Sequence, residues 1–325
     1  MNNVDSEFLK LLQDLLNQAL KHRGKVTILI AGKTGVGKST LINTVFQGEV
    51  AATGQGKPVT KHTREYSKEG IPLTILDTRG LEVADYKETM QQLERIIRER
   101  SNDEDPSKHV HVAWVCIVED THRVEDAEAQ LVEMLARNNI PTLAVITKAK
   151  ADNGFSKKVQ ELLPEVRNVT RVRAKEIILD DGYELAPMGL ENLVKLTMEL
   201  VPESVKNAFV AAQRISLDLK INRSHAVVAA AALSAGGVGA APVPFSDAVA
   251  IIPIQVSMLA TISAIWGLPT SVAFLATLVS GSIVGSAGTF LGRVAVGALL
   301  KFIPGAGSVV GGTVSGVTAG LLTTA

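Results

Sequence analysis

The stretch Lys25–Ala31 (KVTILIA) leads directly into Gly32–Ser39 (GKTGVGKS), and together these residues decide the fold. A short apolar run of this kind predicts a buried strand, and Thr40–Phe46 then predicts a helix. Between them, the glycines let successive backbone N–H groups turn inward around a phosphate, and the helix N-terminus adds the positive end of its dipole. The stretch therefore fits G-x-x-x-x-G-K-[ST], a phosphate-binding loop between a strand and a helix.

Each residue of this loop has an expected role. Lys38 is expected to reach the β- and γ-phosphates of a nucleoside triphosphate, and the Ser39 hydroxyl is expected to ligate Mg²⁺. The other residues predicted to contact the nucleotide here are Lys33, Thr34, Gly35, Val36, Gly37 and Thr40.

A second motif, Asp77-Thr78-Arg79-Gly80, follows the apolar run Leu73–Leu76. D-x-x-G is weak by itself, but its distance downstream of the phosphate-binding loop strengthens it. Asp77 is expected to hold Mg²⁺ through water, and the Gly80 N–H is expected to sense the γ-phosphate. That would make the loop a nucleotide-dependent switch.

Strands and helices alternate through the first two thirds of the chain, which predicts a mostly parallel sheet covered on both faces. The predicted strands are Lys25–Ala31, Glu65–Ser67, Leu73–Leu76, Val110–Val118, Thr142–Thr147 and Val169–Arg173. The predicted helices are Ser6–His22, Thr40–Phe46, Tyr86–Arg100, Val124–Asn138, Phe155–Leu163, Leu190–Leu200 and Glu203–Ile221.

Charge is distributed very unevenly along the 325 residues. The chain carries 33 basic and 33 acidic residues, so its formal net charge is zero. No overall positive charge attracts nucleic acid, and no nucleic-acid partner is expected. Only Asp247, Arg293 and Lys301 follow Arg223, whereas a soluble domain carries roughly 25% charged residues. The single cysteine, Cys116, excludes a disulfide framework and fits a reducing compartment.

The uncharged C-terminal part contains four apolar stretches, 225–241, 248–268, 271–292 and 294–325. The second and third are long enough to cross a hydrocarbon core of ~30 Å. Glycines recur at spacing four in the third and fourth stretches, as in packed membrane helices. We expect transmembrane or re-entrant helices here. The alternative is a soluble helical bundle with an Ala/Gly core.

These patterns predict four segments. Residues 1–24 form an N-terminal helix, residues 25–201 a nucleotide-binding domain, residues 202–223 a linking helix, and residues 224–325 a hydrophobic, all-α, membrane-associated domain.

The motif order resembles the Era-like and septin-like P-loop GTPases, over roughly residues 25–200. The segment GKTGVGKSTLIN is also similar to the loops of GIMAP and chloroplast Toc GTPases, and PVPFSDAVAIIPIQVSMLATISAIWG resembles an uncharacterised hydrophobic domain that follows Era-like G domains. The resemblance implies a three-layer α/β P-loop fold, here followed by the all-α domain. It also implies binding of GTP and Mg²⁺ with slow hydrolysis, catalysed in part by Lys38.

The resemblance also assigns roles outside the phosphate-binding loop. A threonine in residues 58–64 is expected to close over Mg²⁺ and the γ-phosphate. Thr60 is favoured over Thr63 as this catalytic and metal-binding residue, because it leaves more chain for the following strand. Ala174 sits where a base-contacting loop is expected.

The base-binding motif departs from the family pattern. GTPases of this type use [NT]-K-x-D, and Thr147-Lys148 fit it, so both are expected to contact the base. Lys150 stands at the aspartate position, and a cation cannot accept hydrogen bonds from guanine. Asp152 could substitute if the loop bulges.

The residue that catalyses hydrolysis is also left open, because Leu81 stands where Ras-like proteins carry the catalytic glutamine. Arg64 and Arg79 are candidate switch residues, or a homodimer formed through the G domain supplies the missing group. The expected protein is a membrane-associated switch with its G domain in the cytoplasm. The alternatives are a GTP-binding scaffold that hardly hydrolyses, an NTPase of relaxed base specificity, and a membrane-remodelling or pore-forming effector.

Overall fold

The computed structural model of the protein describes residues 24–47, 57–60, 63–68, 70–78, 86–180, 182–239 and 246–268, with residues 10, 13, 14, 17 and 18. Arg23–Arg223 form one compact unit, and the described residues outside that range belong to a second. The five described residues before Gly24 are helical, as predicted, while the rest of the predicted N-terminal helix lies outside the described residues.

The first unit is built on a seven-stranded sheet with the order β2-β3-β4-β1-β5-β6-β7. The strands are β1 (Val26–Ala31), β2 (Lys57–Pro58), β3 (Thr63–Ser67), β4 (Leu73–Thr78), β5 (Val112–Val118), β6 (Thr142–Thr147) and β7 (Asn168–Val172). Strands β4, β1, β5, β6 and β7 are mutually parallel, and only β2 and β3 run antiparallel to their neighbours. A separate hairpin pairs β8 (Ile177–Ile178) with β9 (Glu184–Leu185).

Helices cover both faces of the sheet, as the alternation of elements predicts. They are α1 (Lys38–Val45), α2 (Tyr86–Ser101), α3 (Asp126–Arg137), α4 (Phe155–Leu162), α5 (Leu190–Leu200) and α6 (Glu203–Ala212). A further helix, α7 (Leu217–Gly239), carries the chain out of this unit, and α8 (Ser246–Trp266) follows it.

The period of two along the strands divides the core between the two faces. In β1, Val26, Ile28 and Ile30 pack with α1, α5 and α6, while Leu29 and Ala31 face α2, α3 and α4. Both faces of every central parallel strand are therefore buried, which explains why these strands are continuous apolar runs rather than alternating ones.

The structure differs from the sequence prediction at the expected linking helix. The pattern predicts one helix over Glu203–Ile221, but the structure has two, because the helical conformation is interrupted between α6 and α7. Gln213 forms an isolated bridge with Phe46, and its side chain bonds the backbone N–H and C=O of Ser216. Because Phe209 also lies in the core, this segment packs within the first unit instead of linking two units.

In the second unit, the Trp266 indole N–H of α8 donates a hydrogen bond to the Ser224 hydroxyl, at 3.0 Å. None of the helices in the described part of the chain combines the length and the apolar character needed to cross a membrane. The predicted transmembrane helix over 248–268 is thus not supported, and the stretches 271–292 and 294–325 lie outside the described residues.

Candidate functional site

The parallel strands end together at one edge of the sheet, and the predicted site residues follow those ends. Register pairs Ala31 with Thr78 across β1 and β4, and pairs Thr147 with Val172 across β6 and β7. Loops that follow neighbouring parallel strands meet at the carboxyl edge, which is where ligands bind in open α/β sheets. The sheet topology therefore gathers motifs that lie far apart in the sequence.

Lys38 occupies the centre of the glycine-rich loop. It is the first residue of α1, only 6% exposed, and its ammonium donates to the carbonyl oxygens of Gly32 and Lys33, the latter at 2.9 Å. Gly37 caps the helix with φ +105, a conformation that favours glycine. A buried cation at a helix N-terminus is a preformed site for the oxygens of a phosphate chain.

Gly32 brings the loop against strand β5. A Cβ added there would lie 2.5 Å from the Cys116 carbonyl oxygen and 3.2 Å from Val36 Cγ1. We predict that Gly32→Ala displaces the loop and weakens nucleotide binding on the order of tenfold or more, because small misplacements at such sites are costly. Gly70→Ala is the control in a binding titration, since Gly70 lies outside the loop, also has a positive φ of +81, and a Cβ there meets nothing within 4 Å. Equal affinities for the two variants would refute this account of Gly32.

An acidic pair lies at the N-terminus of α3, and one member of it, Glu125, contacts the phosphate-binding loop. Glu125 forms an ion pair with Lys33 and also caps α3 in a reciprocal capping box with Glu128. Burial raises the pKa of Glu128 to about 7, while the hydrogen bond from the Glu125 N–H acts in the opposite direction.

This raised pKa makes stability depend on pH. Between its unfolded value of 4.5 and about 7, the folded state holds the Glu128 proton that the unfolded state loses, so stability falls as pH rises through that window. We predict that, as the pH rises from 5 to 8, the free energy of unfolding of Glu128→Gln increases by about 1–3 kcal/mol relative to that of the parent protein. Urea unfolding at each pH measures this difference. The matched Glu133→Gln, at an exposed position of α3, should leave the pH dependence unchanged. If the free energy of unfolding changes with pH in the same way in the parent and in Glu128→Gln, the prediction is wrong.

The predicted metal-binding residues offer oxygen donors only. Asp77 lies in β4 and is 2% exposed, while Ser39 is exposed in the first turn of α1. A carboxylate and a hydroxyl beside a phosphate site match the hard oxygen ligands that Mg²⁺ prefers. Asp77 and Ser39 would hold Mg²⁺ here, and the ion would supply positive charge that offsets the negative charge of the phosphates.

The two candidate switch threonines occupy different environments. Thr63 belongs to β3, is 1% exposed, and its hydroxyl lies 3.5 Å from that of Thr78. Thr60 lies in the bend before β3, where its hydroxyl accepts a hydrogen bond from the Thr63 N–H at 3.0 Å. The preference for Thr60 over Thr63 stays a prediction. Arg64 is exposed in β3, whereas Arg79, Gly80 and Leu81 lie outside the described residues.

A cavity of about 220 Å³ adjoins the phosphate-binding loop and collects the predicted base-contacting residues. It is lined by Val36, Gly37, Thr40, Leu41, Thr147, Lys148, Val172, Arg173, Ala174, Lys175, Glu176 and Ile177. Three separate motifs thus meet around one space: the phosphate-binding loop, the end of β6 and the loop after β7.

Thr147 ties the end of β6 to the loop Gly32–Ser39. Its hydroxyl lies 2.7 Å from the Val36 carbonyl oxygen and 3.2 Å from that of Ile117, so one O–H serves both acceptors. Lys148 follows with φ +53 and an exposed side chain. This geometry places the Lys148 stem beside the cavity, where it can cover the flat face of a base.

Lys150 turns away from the cavity. Its ammonium pairs with Asp120 at 3.1 Å, and its backbone N–H donates to Glu119. Burial by itself would raise the pKa of Glu119, but the bonds from Arg171 and the Lys150 backbone bring that pKa below its ordinary value. The cation at the aspartate position is therefore part of a polar network beside the site.

The Asp152 side chain is held at the start of α4 and does not line the cavity. Its carboxylate accepts hydrogen bonds from the Ser156 N–H at 2.9 Å and the Ser156 hydroxyl at 2.6 Å, in the first turn of α4. It also lies 3.5 Å from Arg171 and is absent from the lining of the cavity. The structure gives the bulged-loop alternative no support, because the start of α4 engages this side chain.

Sequence reasoning missed Glu176, which lines the cavity directly after Lys175. Its position two residues after the predicted base-contacting residue Ala174 was the available signal.

Comparison with known proteins agrees with this geometry. Residues 27–148 match the family described as 50S ribosome-binding GTPase. The chain is similar to GTPase Der of Rhizobium etli (strain CIAT 652), with 32% identity over 134 residues, covering 40% of this chain and 27% of that protein.

Two further relatives extend the match. Translocase of chloroplast 108 of Physcomitrium patens is 37% identical over 98 residues, covering 28% of this chain and 10% of that protein. The tRNA modification GTPase MnmE of Baumannia cicadellinicola subsp. Homalodisca coagulata is 26% identical over 230 residues, covering 69% of this chain and 46% of that protein. The chain spans less than half the length of each of these three relatives.

Proposed function

Starting from a chain that carries a P-loop GTPase domain, we propose that the protein binds GTP with Mg²⁺, hydrolyses it slowly and acts as a nucleotide switch. The observation that carries this is the convergence of the buried Lys38, the strand-end Asp77 and the Thr147-Lys148 loop around one edge of the sheet. The sheet order β4-β1-β5-β6 sets the candidate metal, phosphate and base contacts one after another along this edge.

Each group has a separate task in this proposal. Lys38 and the N–H groups of the loop bind the β- and γ-phosphates, and Ser39, Asp77 and Thr60 hold Mg²⁺. Slow hydrolysis follows from Leu81, because an apolar side chain cannot orient the attacking water. A second G domain in a homodimer is the proposed source of the missing group.

Competition binding tests the nucleotide assignment. The full chain is titrated with a fluorescent GTP analogue in Mg²⁺, and unlabelled GTP or ATP is added as competitor. GTP should displace the analogue at concentrations at least about 100-fold lower than ATP, as expected where hydrogen bonds read the base. Equal competition would support the NTPase of relaxed specificity, and no binding of either would remove the proposal.

We also propose that residues 224–325 associate with a membrane and that nucleotide state alters this association, with the G domain in the cytoplasm. The support is compositional, since only three charged residues follow Arg223, together with the exposure of Leu233, which is 80% accessible in α7. Flotation of the full chain with liposomes, in GTP, GDP or no nucleotide, tests both parts. Absence from the liposome fraction removes the first part, and identical partitioning in all three conditions removes the second.

A further inference from the structure

We propose that Glu176 supplies the carboxylate that reads guanine in this protein, in place of the aspartate whose position Lys150 occupies. The inference rests on the proposed function, because it concerns the base of the same nucleotide. It names a specificity-determining residue in the loop after β7 instead of the loop after β6.

The cavity beside the phosphate-binding loop contains one acidic group among its described lining residues. Its other ionisable lining residues are Lys148, Arg173 and Lys175, all basic. Arg173 is 8% exposed and its guanidinium donates to the Ala149 and Ala186 carbonyl oxygens. Glu176 is exposed at the cavity and precedes β8 directly.

Three other carboxylates around the end of β6 have partners outside the cavity. Glu119 is 1% exposed and paired with Arg171 at 2.6 Å. Asp120 pairs with Lys150, and Asp152 bonds Ser156. Neither these three carboxylates nor Lys150 lines the cavity. Glu176 is therefore the acidic side chain best placed to accept from a base there.

The chemistry of guanine selects for such an acceptor. Guanine presents N1–H and N2–H₂ donors on one edge, and the two oxygens of a carboxylate can accept from both. Adenine presents an acceptor at N1, which a carboxylate repels. The apolar surfaces of Val36 and Val172 border the same cavity and suit the faces of a planar base.

Replacement of the Glu176 carboxylate by an amide tests the proposal, because it should change the affinities for GTP and XTP in opposite directions. Xanthine carries a carbonyl where guanine carries the N2 amine, so the amide of Glu176→Gln can donate to xanthine. We expect Glu176→Gln in the full chain to bind GTP about 10- to 100-fold more weakly and to bind XTP more tightly than the parent does. Glu176→Asp shortens the side chain but keeps its charge. This variant should bind GTP more weakly than the parent and should bind XTP no more tightly.

Matched variants separate the possible failures. Asp152→Asn and Asp120→Asn remove neighbouring carboxylates outside the cavity and should keep the parental ratio of GTP to XTP affinity. If the parent binds GTP and Glu176→Gln keeps that ratio too, the assignment to Glu176 is wrong while the proposed function stands. If a control variant shifts the ratio instead, that carboxylate reads the base. If the parent binds no guanine nucleotide, the proposed function itself fails.

Discussion

Replacement of Lys38 by alanine should lower the affinity for GTP by about 100-fold or more. The ammonium is buried at the first residue of α1, where it is held between the Gly32 and Lys33 carbonyl oxygens. A hydrogen bond to a charged partner contributes about 1.5–3 kcal/mol, and each 1.4 kcal/mol is tenfold in affinity. Titration of the full-length variant with a fluorescent GTP analogue in Mg²⁺ measures the loss.

Lys150→Ala provides the control for Lys38→Ala, since it also removes a lysine from a loop at the carboxyl edge of the sheet. Lys150 pairs with Asp120 and does not line the base cavity, so the variant should bind GTP within about threefold of the parent. Similar losses for the two variants would show that general positive charge, rather than the Lys38 position, attracts the nucleotide.

Gly189→Ala should destabilise the first unit by at least about 3 kcal/mol. Gly189 caps α5 with φ +76, and a Cβ there would lie 1.8 Å from the Arg171 carbonyl oxygen. Paired backbone bonds between Arg173 and Met188, both at 3.0 Å, hold this segment against the end of β7. The backbone must shift, and urea unfolding followed by circular dichroism measures the cost.

Gly154→Ala is the matched control for Gly189→Ala. Gly154 caps α4 with φ +80, but an added Cβ meets nothing within 4 Å. The left-handed conformation alone costs about 1–2 kcal/mol for alanine, so this variant should lose only that much. If the two variants are equally stable, the contact with Arg171 carries no energetic weight.

The central sheet was predictable because its determinants are local. Strands β1, β5 and β6 are apolar runs buried on both faces, and the glycine-rich loop fixes a strand-to-helix turn by itself. The helix Leu190–Leu200 begins at the residue after Gly189, as predicted. The match of residues 27–148 to a GTPase family agrees with the P-loop GTPase domain that the motifs predict.

Elements that depend on distant contacts were not predictable. Strand β2 is two residues long and exists through its pairing with β3, which no local pattern signals. The break after α6 depends on the bridge from Gln213 to Phe46 and on Arg214, whose guanidinium donates to the Thr44 carbonyl oxygen at 2.9 Å. Residues more than 160 positions away thus end a helix that its own sequence would continue.

The base-binding end of the site shows the same limit. Spacing identified Lys150 as a departure from the pattern, but it did not show that Asp120 pairs with that lysine. Nor did it show that α4 engages Asp152, since that depends on where the helix starts. Glu176 enters the site only because β7 lies beside β6 in the folded sheet.

Single-turnover hydrolysis by the full chain tests the central claim most directly. Protein in excess over γ-labelled GTP, with Mg²⁺, should release labelled phosphate slowly but completely. The release should stop when Mg²⁺ is chelated, be absent in Lys38→Ala, and persist in a 100-fold excess of ATP. Release no faster than that of Lys38→Ala would contradict the account, and so would equal suppression by ATP and by unlabelled GTP.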